Sequence, residues 1–388
     1  MNFMTAGESH GKGLTGIISG YPSGVSINID FINKQLSRRQ KGYGRGGRMS
    51  IENDRVEVMS GIRKGISTGS PISFIIKNRD WENWKDIMDI IPETDSDKKE
   101  INILTPRPGH ADLTGILKYH LNTIRDVIER SSARETAARV CVGAFALSAL
   151  RMLDVNVISY VDRIGNISLD DDPDIEDKTL LPRIDNSKVR CPDKTISKMM
   201  MEAIDRTKDS GDSIGGSFKV IVRNIPVGIG SYTEWNKRLD ARLAFAVMSI
   251  PAIKAFEIGN GFKAGLSTGL DFHDEIYYSS ENGFYRNTNN AGGIEGGMAN
   301  GENIVIGAVM KPIPTTTKGM KTVHIHSKEK SISLKERSDT CAVPSAAIVG
   351  EAVVSIELLS ALQEKFGNDN MAEIIDNLNN YKKYLKNI

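Results

Sequence analysis

The chain has 388 residues, 39% of them hydrophobic and 26% charged, with a formal net charge of +1. That is ordinary globular composition, and the near-neutral balance excludes a surface built throughout for nucleic acid. Three cysteines, Cys141, Cys191 and Cys341, have no metal-type spacing, and their odd number argues against a disulfide framework.

The first residues, MNFMTAGESHGKG, lack the basic-then-apolar order of a secretory signal. No uninterrupted apolar run approaches the ~20 residues of a membrane span, so a cytoplasmic protein without a membrane partner is expected. After the opening β-like residues, GESHG (7–11) sets Ser9 and His10 between glycines, which let backbone approach a ligand closely. A lone histidine in such a turn is ordinarily a surface residue. Here it is one of six in the chain, and a second stands in the same setting further on.

VSINI (25–29) reads as a strand. Between Asp30 and Glu52 there is no acidic residue, yet Lys34, Arg38, Arg39, Lys41, Arg45 and Arg48 all fall there. A local basic field in a neutral chain points to a discrete anion. Within it, KGYGRGGRMS (41–50) has two readings: a loop that folds around a small polyanion, or an RGG strip that tracks nucleic-acid phosphates. The strip favours interleaved aromatic residues, and only Tyr43 lies near Arg45.

RVEVMSGI (55–62) and PISFII (71–76) read as strands. In TPRPGHADLTG (105–115) prolines and a glycine hold His110 just ahead of a helix, with Asp112 as its N-cap. A histidine near a helix N-terminus feels a positive potential, which suits pKa tuning. Leu113, Ile116, Leu117, Leu121, Ile124 and Ile128 keep the 3.6-residue period and predict a helix over 112–130. A second helix follows over 131–153, with Ser131 or Ser132 as N-cap and Glu135 placed for a capping box. Its lack of charge after Arg139 predicts burial on most sides. Two hydroxyls and free N–H groups at its start, between Arg130 and Arg134, make a ready phosphate site. Alternatively, those arginines pair with Glu129 and Glu135 at the surface.

GSFKVIV (216–222), AIKAFEIG (252–259) and NIVIGAVM (303–310) read as strands, and residues 236–250 as an amphipathic helix stopped by Pro251. The stretch from Asn260 to Glu302 is rich in Gly, Asn and Ser and is expected to be loop. Within it, NNAGGIEGGMANGE (289–302) lacks the strand–GxGxxG–helix context of a dinucleotide fingerprint. KPIPTTTKG (311–319) offers Lys311 and three threonine hydroxyls to a phosphate. ERSDTCAVPSAA (336–347) puts Arg337 and Asp339 ahead of a helix over 343–366, where they could equally be a structural pair. The end of the chain, 376–388, reads as a solvated helix. Strands and helices mix without regular alternation, so the fold class is α+β.

The strings GESHGKGLTGIISGYP, RRQKGYGRGGRMSIENDRVEV, TPRPGHADLTG, ERSSARETAARVCVGAF, NNAGGIEGGMANGENI, KPIPTTTKG and RSDTCAVPSAAIVGE occur in order along the chain. Together they closely resemble the chorismate synthase family over essentially its whole length. The resemblance implies a single domain over 1–388 with a β-α-β sandwich, helices lying between antiparallel sheets, assembled as a homotetramer. It implies conversion of 5-enolpyruvylshikimate-3-phosphate to chorismate and phosphate by 1,4-anti-elimination, the last step of the shikimate pathway. The hydrogen removed is not next to a carbonyl, so the family relies on reduced FMN (FMNH2) without net redox change.

By the same resemblance, Ser9, Arg39, Arg45, Arg48, Arg107, Arg134 and Arg337 meet the anionic groups of this small-molecule substrate. His10 protonates or hydrogen-bonds the leaving phosphate, His110 stabilises the reduced anionic flavin, and Asp339 helps remove the hydrogen. Arg130, Ser131, Ser132, Pro251, Ala252, Gly296, Lys311, Pro312, Ile313, Pro314 and Thr315 hold FMN, with Arg337 shared. Relatives often carry an amide residue where this chain has Pro251, which offers neither a side-chain amide nor an N–H donor. No metal or nucleic acid is implied. No inserted reductase segment is visible, so an external flavin reductase is expected, with NADPH only as an indirect reductant.

Overall fold

The structure is a computed structural model that describes residues 1–46, 53–91, 103–281, 283–334 and 339–388. Two antiparallel sheets enclose a layer of helices, as the α+β reading expects. The first sheet orders its strands Asn2–Ala6, Gly13–Ser19, Ile72–Lys77 and Val56–Val58. Alternation decides which side faces inward: Leu14 and Ile18 of one strand, with Ile72, Phe74 and Ile76 of its neighbour, are buried. Gly16 stands opposite Phe74, and a Cβ there would lie 2.4 Å from the Phe74 ring. Glycine is what lets that ring lie across the neighbouring strand.

The second sheet runs in the order Ile253–Ile258, Ile304–Met310, Gly216–Arg223, Asn156–Ile164 and Ile167–Ser168. Between the sheets lie the Ile29–Gln40, Thr136–Met152 and Val343–Phe366 helices. Thr136–Met152 packs on the Gly13–Ser19 strand, and Val343–Phe366 packs on the Asn156–Ile164 and Gly216–Arg223 strands. Val343–Phe366 is long and apolar enough to cross a membrane by composition, but 89% of its most apolar window is buried in the protein core. All three cysteines are buried and free.

Several elements differ from the sequence reading. Residues 25–29 form an isolated bridge at Ser26 rather than a strand, because Asn28 caps the helix that begins at Ile29. The predicted 112–130 helix is two helices, Asp112–Tyr119 and Ile124–Ser131. His120 takes a left-handed conformation at φ 54°, and the Thr123 side chain then caps the second helix. The 260–302 stretch contains an antiparallel hairpin, Ile276–Ser279 with Gly283–Arg286.

The central helices meet most closely at Gly143, where an added Cβ would stand 2.4 Å from the Ala352 Cβ. Gly143→Ala is therefore expected to lower stability by about 1–3 kcal/mol, the usual cost of overpacking a close-packed core. The same change in an exposed helix would add about 1 kcal/mol through helix propensity. A lower urea midpoint at unchanged slope checks it, and a raised midpoint would refute the close approach.

Candidate functional site

At one edge of the helical layer, the ends of several elements surround a cavity of about 660 Å³. This lies within the roughly 300–1,000 Å³ usual for small-molecule sites. One wall is cationic. Arg39, near the end of the Ile29–Gln40 helix, donates to the Asp54 carboxylate at 2.9 Å, and Arg134 donates to its other oxygen at 2.6 Å. The Asp54 side chain is 0% exposed. Burial pulls Arg39 down to about 10; Asp54 acts upward and the charges of Arg134 and Arg45 downward. At neutral pH it stays a cation.

Arg134 also donates from Nε to the Asn78 amide oxygen at 3.0 Å. The Asn78 amide nitrogen in turn donates to the carbonyls of Glu8, Ser9 and Gly11 at 3.1, 3.2 and 2.8 Å. One side chain thus shapes the GESHG loop and joins it to the arginine pair. Arg45 pairs with Asp339 at 2.9 Å, and the Gly46 N–H donates to the same carboxylate at 2.6 Å. The first stretch of the glycine–arginine loop is therefore tied to the start of the Val343–Phe366 helix. Ser345, on that helix, donates to the Arg39 carbonyl at 2.6 Å.

Both histidines line the cavity, and each is backed by a buried carboxylate. His10 Nδ1 lies 2.9 Å from Glu129 and His110 Nδ1 lies 2.5 Å from Asp112. Asp112 does not cap its helix; Ala111 occupies the cap position, and the Asp112 carboxylate turns back to His110 and Arg107. Burial works to raise the Asp112 carboxyl, but the bonds from His110 and Arg107 prevail and hold it well below the usual carboxylate range. Arg107 also donates to Thr315 at 3.1 Å, joining the histidine loop to the 311–315 segment.

The remaining wall is largely apolar, formed by Ile128, Ile250, Pro251, Ala252, Met310, Ile313, Pro314, Ala346 and Val349. Ala252 has φ 68°, a left-handed backbone that a non-glycine residue adopts at a cost of about 1–3 kcal/mol. Ser131 and Ser132 also line the cavity, although their hydroxyls are engaged locally. Ser131 donates to the Val127 carbonyl, and Ser132 accepts from the Arg134 N–H.

Of the residues expected from the sequence, Ser9, His10, Arg39, Arg45, Arg107, His110, Ser131, Ser132, Arg134, Pro251, Ala252, Lys311, Ile313, Pro314, Thr315 and Asp339 line this cavity together. Pro312 is not among the lining residues. Arg130 is exposed and donates to the Thr5 and Gly7 carbonyls rather than to Glu129. Gly296 lies in the turn between the short strands Ile294–Glu295 and Met298–Ala299. Arg48 and Arg337 lie outside the described residues. Sequence reasoning missed Asp54, Asn78 and Trp84 and saw Glu129 only as a surface partner. One available signal was that Glu52 and Asp54 end the acid-free basic run. Among the described residues, no cluster of three or more His, Cys, Asp or Glu side chains could hold a metal.

The family model for chorismate synthase matches residues 1–363. A chorismate synthase of Desulforamulus reducens is 49% identical over 388 residues, covering 100% of both chains. One of Alkaliphilus metalliredigens is 51% identical over 371 residues, 96% of each chain. A solved crystal structure of a chorismate synthase superposes with a TM-score of 0.80 at 36% identity, covering 100% of this chain and 98% of that one.

Asp112 supplies a test of the electrostatics. A carboxyl held below its unfolded value of about 3.9 stabilises the fold fully above about pH 5 and loses that contribution as the pH falls through and below about 4. Asp112→Asn leaves the buried Arg107 without its carboxylate, an expected cost of about 3–5 kcal/mol at neutral pH. It should also flatten this part of the acid-unfolding curve. Urea unfolding at a series of pH values measures both, and an unchanged curve would contradict the assignment.

Proposed function

The chain belongs to the chorismate synthase family, and from that premise we propose that the cavity described above is where its reaction takes place. Members convert 5-enolpyruvylshikimate-3-phosphate to chorismate and phosphate, the final step of the shikimate pathway, which feeds aromatic amino acid biosynthesis. The observation that carries the proposal is the gathering of Arg39, Arg45, Arg107 and Arg134 with two histidines around one cavity. The substrate has two carboxylates and a phosphate, and the planar fork of arginine binds both kinds of group bidentately. At about 1.5–3 kcal/mol for each hydrogen bond to a charged group, several arginines can offset the desolvation of such an anion. Arg48 and Arg337 are assigned to the same anions by resemblance, and Ser9 assists.

The family uses reduced FMN. The cavity suits that group because an apolar wall meets a polar, cationic one, and its size exceeds what a single small anion needs. Ser131, Ser132, Pro251, Ala252, Lys311, Ile313, Pro314 and Thr315 would hold the cofactor, joined by Arg130, Gly296, Pro312 and Arg337 on resemblance. When bound, the reduced flavin supplies reversible electron donation, which allows loss of a leaving group from a carbon system with no activating carbonyl. The protein's own task is to bind, orient and move protons. His10 donates a proton or hydrogen bond to the departing phosphate. His110, steadied by Asp112, holds a proton where negative charge must be balanced beside the cofactor. Asp339 assists removal of the substrate hydrogen, its carboxylate oriented by Arg45 and the Gly46 N–H. With no amide at Pro251, the cofactor contact there reduces to packing and to backbone groups of the strained Pro251–Ala252 turn.

The protein is proposed to act in the cytoplasm as a single-domain homotetramer that receives reduced flavin from an external reductase, with NADPH used only by that partner. Exposed Phe245, Phe262, Leu266 and Leu270 are apolar side chains that such an assembly would cover.

The protein incubated anaerobically with the phosphate ester and chemically reduced FMN should release phosphate and form chorismate. Failure to do so would refute the proposal. His10→Ala and His110→Ala should each lower kcat by roughly 10²–10⁴, the range for an acid–base group. An unchanged kcat removes that residue from the mechanism.

A further inference from the structure

His10 is held by one carboxylate at two points. Its backbone N–H donates to Glu129 Oε2 at 2.7 Å, and its Nδ1 lies 2.9 Å from Oε1. Arg125, one turn earlier on the Ile124–Ser131 helix, donates to the same Oε1 at 3.2 Å. Trp84 closes the arrangement from another segment, with its ring centroid 4.0 Å from the imidazole and 5.0 Å from the Arg125 guanidinium. The Glu129 side chain is 1% exposed. Such burial would by itself raise the carboxyl, but the hydrogen bonds and charges of His10, with help from Arg125, hold it below the usual range. It is therefore ionised at neutral pH.

An ionised carboxylate only accepts hydrogen bonds. The hydrogen between Glu129 and His10 consequently sits on Nδ1, and Nε2 is the ring nitrogen not committed to Glu129. We propose that Glu129 is a positioning residue for the reaction: it fixes the His10 tautomer and ring angle so that Nε2 handles the proton of the leaving phosphate. This rests on the reading of His10 given above and deepens it. A purely structural acceptor for one loop N–H would not require a buried charge, which costs several kcal/mol unless compensated. Nor would it explain why the arrangement recurs, since Asp112 engages Nδ1 of His110, the other cavity histidine, from a different helix. In each case the carboxylate engages Nδ1 and restrains ring orientation, which sets the tautomer and angle through which a ring handles a proton.

The test is a double-mutant cycle of Glu129→Gln and His10→Ala, with kcat and KM measured anaerobically. Glu129→Gln should lower kcat by about 10-fold or more, short of the roughly 10²–10⁴ lost with the imidazole itself, and change KM by less than about 3-fold. In the His10→Ala background the same change should have no further effect, because the residue acts through the ring. A wild-type kcat in Glu129→Gln, or an equal loss in both backgrounds, would overturn the proposal. A wild-type kcat in His10→Ala would instead remove the reading of His10 on which it rests, and the proposal with it. If Glu129→Gln does not fold, Glu129→Asp, which keeps the charge and withdraws it by one methylene, must show the same dependence on His10.

Discussion

The site depends on one buried carboxylate. Asp54 stands between the guanidinium groups of Arg39 and Arg134 and takes one hydrogen bond on each oxygen. Without it, two cations would share a largely desolvated corner, where like charges repel strongly. With it, the pair carries one net positive charge and a fixed geometry, ready for an anion from the cavity side. The desolvation of such a group is large and is met only when partners are well placed. Asp54 also fastens its own chain segment, through a bond from its N–H to the Gln40 side chain at 3.1 Å. The far end of the glycine–arginine loop is thereby returned to the helix that it left.

From this point the order spreads along hydrogen bonds rather than along the chain. Arg134 leads to Asn78, and Asn78 to three carbonyls of the GESHG loop, which then presents His10. Ser345 ties the Arg39 backbone to the long central helix, so the packed core sets the position of the cationic wall. The close approach at Gly143 and Ala352 belongs to the same constraint, since it fixes the helices whose ends carry these groups. A rigid frame lets the side chains proposed for the reaction sit in a preformed arrangement, which lowers the cost of organising them when a ligand arrives.

Some of this was legible in the sequence. The Val343–Phe366 helix matches its predicted bounds, because a long apolar run with Pro344 in its first turn has few alternatives. The 112–130 reading failed since the hydrophobic period continues across a break marked only by His120 in a left-handed cap and Thr123 as a new one. A hairpin hid in the loop-like 260–302 stretch, although the β-prone runs IYYS (276–279) and GFYR (283–286) stand only three residues apart in the sequence. At the site, arginines and histidines stood out by type and by their glycine settings. Their carboxylate partners did not, because Asp54 and Arg134 are 80 positions apart and His10 and Glu129 are 119. No local pattern encodes such pairs; tertiary packing brings them together, including that of the Thr136–Met152 helix on the first sheet and the bonds from Arg130 to the Thr5 and Gly7 carbonyls.

The most direct test of this account is the affinity for 5-enolpyruvylshikimate-3-phosphate, measured by titration calorimetry with FMN present, in the wild-type protein and Asp54→Asn. If Asp54 assembles the cationic wall, its neutral isostere should leave the near-ultraviolet circular dichroism intact. Binding should weaken about 10-fold or more, equivalent to disturbing one charge-assisted hydrogen bond of about 1.5–3 kcal/mol. A folded Asp54→Asn protein that binds the substrate as tightly as wild type would contradict the account.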